Sequence, residues 1–466
     1  MYKFIFFSGI AVVILFELGF ACTGGGSATA GGRPFSSSGS TFDQVSSPLS
    51  GVLDTSINGT GYLIANFATY KFVATRDSSG RTITVGANTN IHVTRYLKGT
   101  LTTDPSFSSF VPYLPFPFLE ALYVSLDSSD NIYVAAVGYL TDPHYPWAVV
   151  NKFRSDGSLD TSYGTSGSSV VRYNQYTGNN NDEYFGMFCG GDGTCFVYGS
   201  SSGRLEIAKL SPSGILNTNF ANLHGFMFPT PGYGTPWFEH ISAISFSSDG
   251  NLNLVGGSAI GPYPYTGSPS ILWQMDPDFG RLNQTFGFTS GATVTKIFPS
   301  ADEVYQLITG PTGLYTFGLD GGTYPPSGRY TSNLTVRKFT PQGIVDPSFT
   351  PIDLSYINPP GGGTGTTGGM AIDFYNSIIY TSAVSSPNFV GNPSTVTITA
   401  SDANTGLPMS SFGTNGTLVV DLSSSGYTFG AILQMLFDGN GKLLLFGFAW
   451  PNGNPNSQQP AVMVIK

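Results

Sequence analysis

The chain has 466 residues, among them 60 glycines and 31 prolines, with 14% aromatic and only 10% charged residues. A formal charge of −9 and a sequence pI near 4.8 argue against binding nucleic acid or anionic lipid through a basic face, and no Lys/Arg cluster offsets that balance. Helix formers such as Glu, Lys and Arg are scarce, so the abundant Gly, Ser, Thr, Tyr and Phe read as many short strands joined by turns.

At the N-terminus Lys3 precedes an apolar run from Phe4 to Phe16. The run is short for a bilayer span of about 20 residues and suits the h-region of a signal peptide. It ends at Glu17-Leu18-Gly19-Phe20-Ala21-Cys22, which resembles a bacterial lipobox, in which a small residue precedes a cysteine that becomes the lipidated N-terminus. Two positions depart from that pattern: Gly19 stands three residues before the cysteine where Leu is usual, and Glu17 closes the apolar run. Residues 1–21 are therefore expected to be a signal peptide and Cys22 a lipid attachment site, with simple secretion by cleavage near Ala21 as the alternative. Residues 22–47 are Gly/Ser-rich and bury too little apolar surface to fold, so they read as a flexible tether. The expected location is the bacterial cell envelope, at the outer membrane or cell surface.

Three cysteines in an exported chain leave an odd one, and lipidating Cys22 resolves the count. Cys189 and Cys195 flank the turn-rich Gly190-Gly191-Asp192-Gly193-Thr194, which puts them on neighbouring strands of a hairpin and within reach of a disulfide. Two buried free thiols are the alternative. His92, His144, His224 and His240 are scattered without ligand spacing, so no metal and no cofactor is expected.

From residue 48 onward three signals recur in fixed order. The first is a turn leading into a β run that ends at or near glycine: Asp77-Ser78-Ser79-Gly80 to Gly86, Asp130-Asn131 to Gly138, Asp192-Gly193 to Gly199, Asp249-Gly250 to Gly256 and Asn440-Gly441 to Gly447, with worn copies from Glu303 to Gly310 and from Asn376 to Ser382. The second is an alternating strand, as in Ile91 to Tyr96, Ala148 to Phe153, Leu205 to Leu210 and Leu334 to Phe339, with partners at Ile271 to Met275, Val396 to Ala400 and Ala461 to Ile465. The third is a turn carrying an aromatic at Phe107, Tyr163, Phe220, Phe286, Phe349 and Phe412, giving spacings of 56, 57, 66, 63 and 63 residues. That period suits one four-stranded blade with its loops.

The seventh strand runs into the C-terminus without its third signal. The missing copy, Val52-Leu53-Asp54-Thr55-Ser56-Ile57-Asn58-Gly59-Thr60-Gly61, stands at the other end of the chain. Such a split predicts an all-β, seven-bladed β-propeller over 48–466 whose N-terminal strand completes the C-terminal blade, because closure hides sheet edges that an open stack leaves bare. Asp156-Gly157-Ser158-Leu159-Asp160-Thr161-Ser162-Tyr163-Gly164 and its copies resemble the bacterial delta-60 repeat, a β-propeller repeat of uncharacterised function. The resemblance implies the fold and carries no catalytic motif. Ile57 in the first copy and Leu282-Asn283-Gln284-Thr285-Phe286-Gly287 in the fourth depart slightly from it.

Aspartates in Asp156-Gly157-Ser158-Leu159-Asp160 and Asp438-Gly439-Asn440-Gly441 invite a calcium reading, but the full loop pattern is absent and short Asp side chains bond their own backbone in turns. No nucleophile elbow or paired-carboxylate site appears, and the predicted channel strands Ile241 to Phe246 and Ile432 to Phe437 carry no charge. The long connections all belong to one face, as second turns or blade crossovers. They collect Tyr145, Tyr233, Trp237, Tyr263, Tyr265, Tyr324 and Trp450, a composition suited to a sugar or protein partner. Drift in unconstrained surface loops gives the same list. The favoured reading is a monomeric, non-catalytic envelope scaffold that binds a protein or glycan through that face. A glycan-active hydrolase or lyase, and a purely structural envelope lipoprotein, are the alternatives.

Overall fold

The computed structural model describes residues 47–64, 71–87, 91–107, 118–139, 146–172, 182–201, 204–220, 226–227, 237–259 except 248, 270–287 except 284, 292–293, 301–323, 331–354, 368–385, 395–422, 425–451 and 459–466. Residues 1–46, on which the expected signal peptide, Cys22 and all but the last residue of the expected tether fall, lie outside them. The described strands form seven antiparallel sheets whose inner strands follow one another around a ring. These inner strands, of blades 1 to 7, are Lys71–Arg76, Phe118–Leu126, Asp182–Cys189, Trp237–Phe246, Ala301–Gly310, Met370–Asp373 and Tyr427–Phe437. Strand order within blades 2 to 6 is sequential from the ring outward. Blade 1 has three strands among the described residues, and residues 108–117, which follow them, are outside that set.

Blade 7 joins the two ends of the chain. Its outermost strand is Tyr62–Ile64, which pairs antiparallel with the C-terminal strand Gln459–Ile465 in the register Tyr62 with Met463 and Ile64 with Ala461. The molecule is thus a closed seven-bladed β-propeller, and the split repeat is its closure.

Sequence dictates the hairpins locally. In the first turn of blades 1, 2 and 7, Asp77, Asp127 and Asp438 each use Oδ1 to accept backbone N–H bonds two and four residues ahead, at 2.8–3.0 Å. That geometry needs a left-handed residue, supplied by Gly80, Asp130 and Gly441 at φ of 82°, 60° and 82°. One expected copy is misplaced. Glu303 to Gly310 lies on the inner strand of blade 5 and not on its second strand, which is Gly313–Thr323. The turn there, around Pro311-Thr312, lacks the Asp or Asn signature, so the glycine at the end of Ile308-Thr309-Gly310 imitates the repeat one strand too early.

The repeated glycine has a physical role. Gly199, Gly256, Gly318 and Gly447 each pair with the inner-strand residue beside a β-bulge, namely Tyr184, Ile241, Val304 and Ile432. A bulge bends and twists the inner strand. Glycine opposite it removes a side chain that the bend would crowd.

Candidate functional site: the inner ring and its two faces

The aromatic turn that defines the repeat is the same device seven times over. In each copy the residue three before the aromatic position accepts that position's N–H through its carbonyl, at Asp54, Asp104, Asp160, Asn217, Asn283, Asp346 and Met409, and its own N–H donates to the third strand of its blade. In six copies an Asp or Asn at this point also accepts the N–H of the residue two ahead through Oδ1. The aromatic ring then drops onto the second strand of its own blade: Tyr163 on Tyr133, Phe220 on Phe196, Phe349 on Tyr315 and Phe412 on Tyr380, with centroids 5.5–6.3 Å apart. A third-strand cation completes the unit. Arg95 bonds Asp104 at 2.8 Å and lies over Phe107, while Lys152 pairs with Asp160 at 3.4 Å and Lys338 with Asp346 at 3.2 Å.

These contacts set the electrostatics. Hydrogen bonds from Ser106, helped by Arg95, hold the Asp104 carboxyl at about 2. Burial opposes ionisation of Asp54, yet Lys442 at 2.6 Å and the donors of Ser56 outweigh it and hold that carboxyl at about 2. Asp160 and Asp346 are likewise lowered, chiefly by Ser162 and Ser348. Burial alone pushes the Tyr163 hydroxyl up. The aspartates that suggested calcium are thereby engaged: Asp156 accepts from Ser158, and Asp438 from Asn440 and Lys442. Among the described residues no group of three or more His, Cys, Asp or Glu side chains is placed to hold a metal ion.

The turn residues after the aromatic also stitch blade to blade. Gly164 N donates to Ser213 O, Gly287 N to Gln342 O, Thr350 N to Thr405 O and Gly413 N to Ser50 O, at 2.7–3.1 Å. Each bond runs from one blade to the next around the ring.

Buried polar side chains of the inner strands bond across to the inner strand of the next blade, three of them to its backbone. Gln434 of blade 7 uses both ends of its amide on blade 1, accepting Ala74 N–H at 2.8 Å and donating to Ala74 O at 2.7 Å. Gln306 of blade 5 accepts Met370 N–H of blade 6 at 2.7 Å. Ser125 of blade 2 accepts Cys189 N–H of blade 3 at 3.1 Å, and Ser245 of blade 4 meets Thr309 of blade 5 hydroxyl to hydroxyl at 2.7 Å. Gln306 and Gln434 each stand directly after the bulge that turns them toward the neighbour. Sequence reading missed all four, because a lone polar residue in an apolar strand carries no periodic mark. The glycine opposite the bulge was the available signal.

Truncating Gln434 to Ala leaves both polar groups of Ala74 without a partner. At about 1–3 kcal/mol for each buried unsatisfied group, Gln434→Ala is expected to lower the urea midpoint with its slope unchanged, whereas the exposed Val419→Ala is expected to leave the midpoint in place.

The face that collects the long connections is described in part. Tyr145, Tyr233, Tyr263, Tyr265 and Tyr324 lie outside the described residues, and Trp237 is described through its backbone pairing with Ala259 alone. Trp450 is half-buried at the end of the second strand of blade 7, and its ring covers Gly430, where an added Cβ would come within 1.8 Å of it. Cys189 and Cys195 are directly opposed in the first hairpin of blade 3 and joined by a disulfide inside the core between blades 2 and 3.

The class of protein defined by this geometry is the closed seven-bladed propeller. No family model and no curated protein matches the chain. Solved structures similar to it include a polysaccharide lyase, Uly1, at 14% identity and a TM-score of 0.38, covering 67% of this chain and 74% of that one. A GH93 α-L-arabinofuranosidase of Fusarium graminearum in complex with arabinobiose is similar at 9% identity and 0.38, over 92% and 98% of the two chains. The core factor of S. cerevisiae is similar at 10% identity and 0.42, over 86% and 60%. Likeness at this level assigns no activity.

Proposed function

We propose that the protein is a non-catalytic envelope scaffold of the delta-60 repeat type, exported by its N-terminal segment, lipid-anchored at Cys22 and binding a protein or glycan through its long-connection face. The observation that carries this reading is the use of the inner-strand polar groups. Gln306, Gln434, Ser125 and Ser245 engage the next blade. The turn aspartates engage their own backbone and the third-strand cations, and both sets serve closure of the ring. Sequence variation free of that duty falls in the second connections and crossovers, where Tyr, Trp, Pro and Gly gather. The Cys189–Cys195 bond supports an oxidising compartment and hence export.

The test is a glycan and envelope-protein binding screen with the full chain, followed by Tyr263→Ala combined with Tyr265→Ala. Binding is expected to weaken by about tenfold or more, the usual loss on removing aromatic contact residues, with the melting temperature unchanged. Turnover of any glycan in the same screen would overturn the non-catalytic reading.

A further inference from the structure

Large exposed apolar side chains are unevenly placed among the described residues. Seven of the nine stand in turns that share one face, opposite the long connections. Val52 stands in the arm that leads into the outer strand of blade 7, Leu97, Ile215, Phe279, Val345 and Leu407 follow the third strands of blades 1, 3, 4, 5 and 6, and Tyr375 occupies the first turn of blade 6. The other two, Val170 and Val419, lie on outer strands. Single exposed apolar residues are ordinary. Here six blades each carry one ahead of the repeat's aromatic position, and Val52, Ile215 and Leu407 stand at the same place, five residues before it, so they form an annulus. The exposed Asp192 and Asp249 stand in the first turns inside that annulus.

The N-terminal arm enters the domain on the same face. Ser50 O accepts Gly413 N–H at 3.1 Å, Ser50 Oγ donates to Lys466 O at 2.8 Å, and Leu49 N donates to Tyr380 Oη at 3.3 Å, at the seam of blades 6 and 7. Residues 23–46 separate Cys22 from this point. A Gly/Ser-rich chain of that length has a root-mean-square reach of about 27 Å, little more than the radius of gyration of about 22 Å expected for a compact domain of this size.

We infer that the turn face is a membrane-docking surface, held against the zwitterionic lipid of the bilayer by the tether while the annulus of Ile215, Phe279, Val345 and Leu407 contacts the interface, so that the long-connection face points away from the membrane. A tether this short keeps the face from which it emerges nearest the bilayer. It also raises the effective concentration of that face at the surface, so weak apolar contacts suffice. Exposed carboxylates, Asp192 and Asp249, and exposed cations, Lys98, Arg154 and Arg281, share this face, a mixed charge that suits a zwitterionic headgroup better than an anionic one. This inference rests on the reading of Cys22 as the attachment point.

The experiment places an environment-sensitive fluorophore on an introduced cysteine at Ile215→Cys, Leu407→Cys or Val419→Cys in the full chain. Each variant is reconstituted in phosphatidylcholine vesicles carrying doxyl-labelled lipid. Quenching is expected to be roughly threefold greater at the two turn positions than at Val419→Cys, and to fall in vesicles enriched in phosphatidylglycerol. Sedimentation of the unlabelled chain with membranes reads the anchor separately. If it stays in solution, the chain beginning at Cys22 is coupled through that thiol to a maleimide lipid and the quenching repeated. Equal quenching at all three positions, or none at the turns of a membrane-held chain, overturns the docking surface. Failure to sediment overturns native lipidation alone.

Discussion

A chain starting at Lys71, which lacks the N-terminal arm and its strand, is expected to show no cooperative unfolding transition at neutral pH. The arm inserts Leu49, buried, and Leu53, Tyr62 and Ile64, partly buried, into the core of blades 6 and 7. At about 1–2 kcal/mol for each such side chain, their removal withdraws roughly 4–8 kcal/mol, comparable with the 5–15 kcal/mol net stability of an ordinary domain. It also bares the edge of the C-terminal strand, a template for association. Near-ultraviolet circular dichroism and light scattering check the result. A native-like melt from the shortened chain would show that the ring holds without its closure.

The aspartates of the repeat turns govern acid stability. Asp54 and Asp104 ionise near 2 in the fold against 3.8 in the open chain. Depressed carboxyls stabilise the folded form fully above about 4, and that contribution is lost as pH falls toward 2. Acid unfolding of the full chain is therefore expected within that window. Asp54→Asn is expected to be less stable at neutral pH and to depend less steeply on pH through the window.

Phe220→Ala is expected to destabilise the protein by about 3–5 kcal/mol, the usual cost of emptying a fully buried aromatic site. Phe220 is 0% exposed, meets Phe196 edge to face and lies beneath the ammonium of Lys209 at 5.9 Å from its centroid. Its removal opens a void between the second strand and the repeat turn. The surrounding backbone is pinned by Phe220 N to Asn217 O and Asn217 N to Lys209 O, which resists collapse into that void. Ile57 holds the equivalent place in the split copy but is partly exposed, so Ile57→Ala is expected to cost about 1 kcal/mol. Urea titrations of the two variants make the comparison. Equal shifts would mean that the aromatic turn is decorative and that the strand ladder alone carries the blade.

Much of this architecture was legible in the sequence, because the repeat encodes it in local chemistry. The aromatic of Asp160-Thr161-Ser162-Tyr163 is a buried plug and its aspartate an anchor, so neither drifts freely and the period survives. The fifth hairpin was misread for the same reason: with Pro311-Thr312 in place of an Asp-Gly turn, the nearest matching glycine, Gly310, belongs to the wrong strand. The caps on the inner edge were invisible. Gln434 and Gln306 gain meaning from a bulge and from a neighbour 360 or 64 residues away, and neither relation leaves a periodic trace. The candidate binding face was legible as composition alone, since Tyr263, Tyr265 and Trp450 are joined by no spacing rule.

The bond between Ser50 and Lys466 spans 416 residues of chain. By loop-closure entropy this costs only roughly 1.7 kcal/mol more than closing a 60-residue loop, so the finished ring loses little by having its seam at the termini. Time is affected more than stability. The strands of blades 2 to 6 follow one another in sequence and can pair as they are made, whereas Tyr62–Ile64 waits for Gln459–Ile465 before it finds its partner. The newborn propeller is thus an unsealed arc until Gln459–Ile465 is made, and any factor that guards it before then has to act on the two unpaired edges.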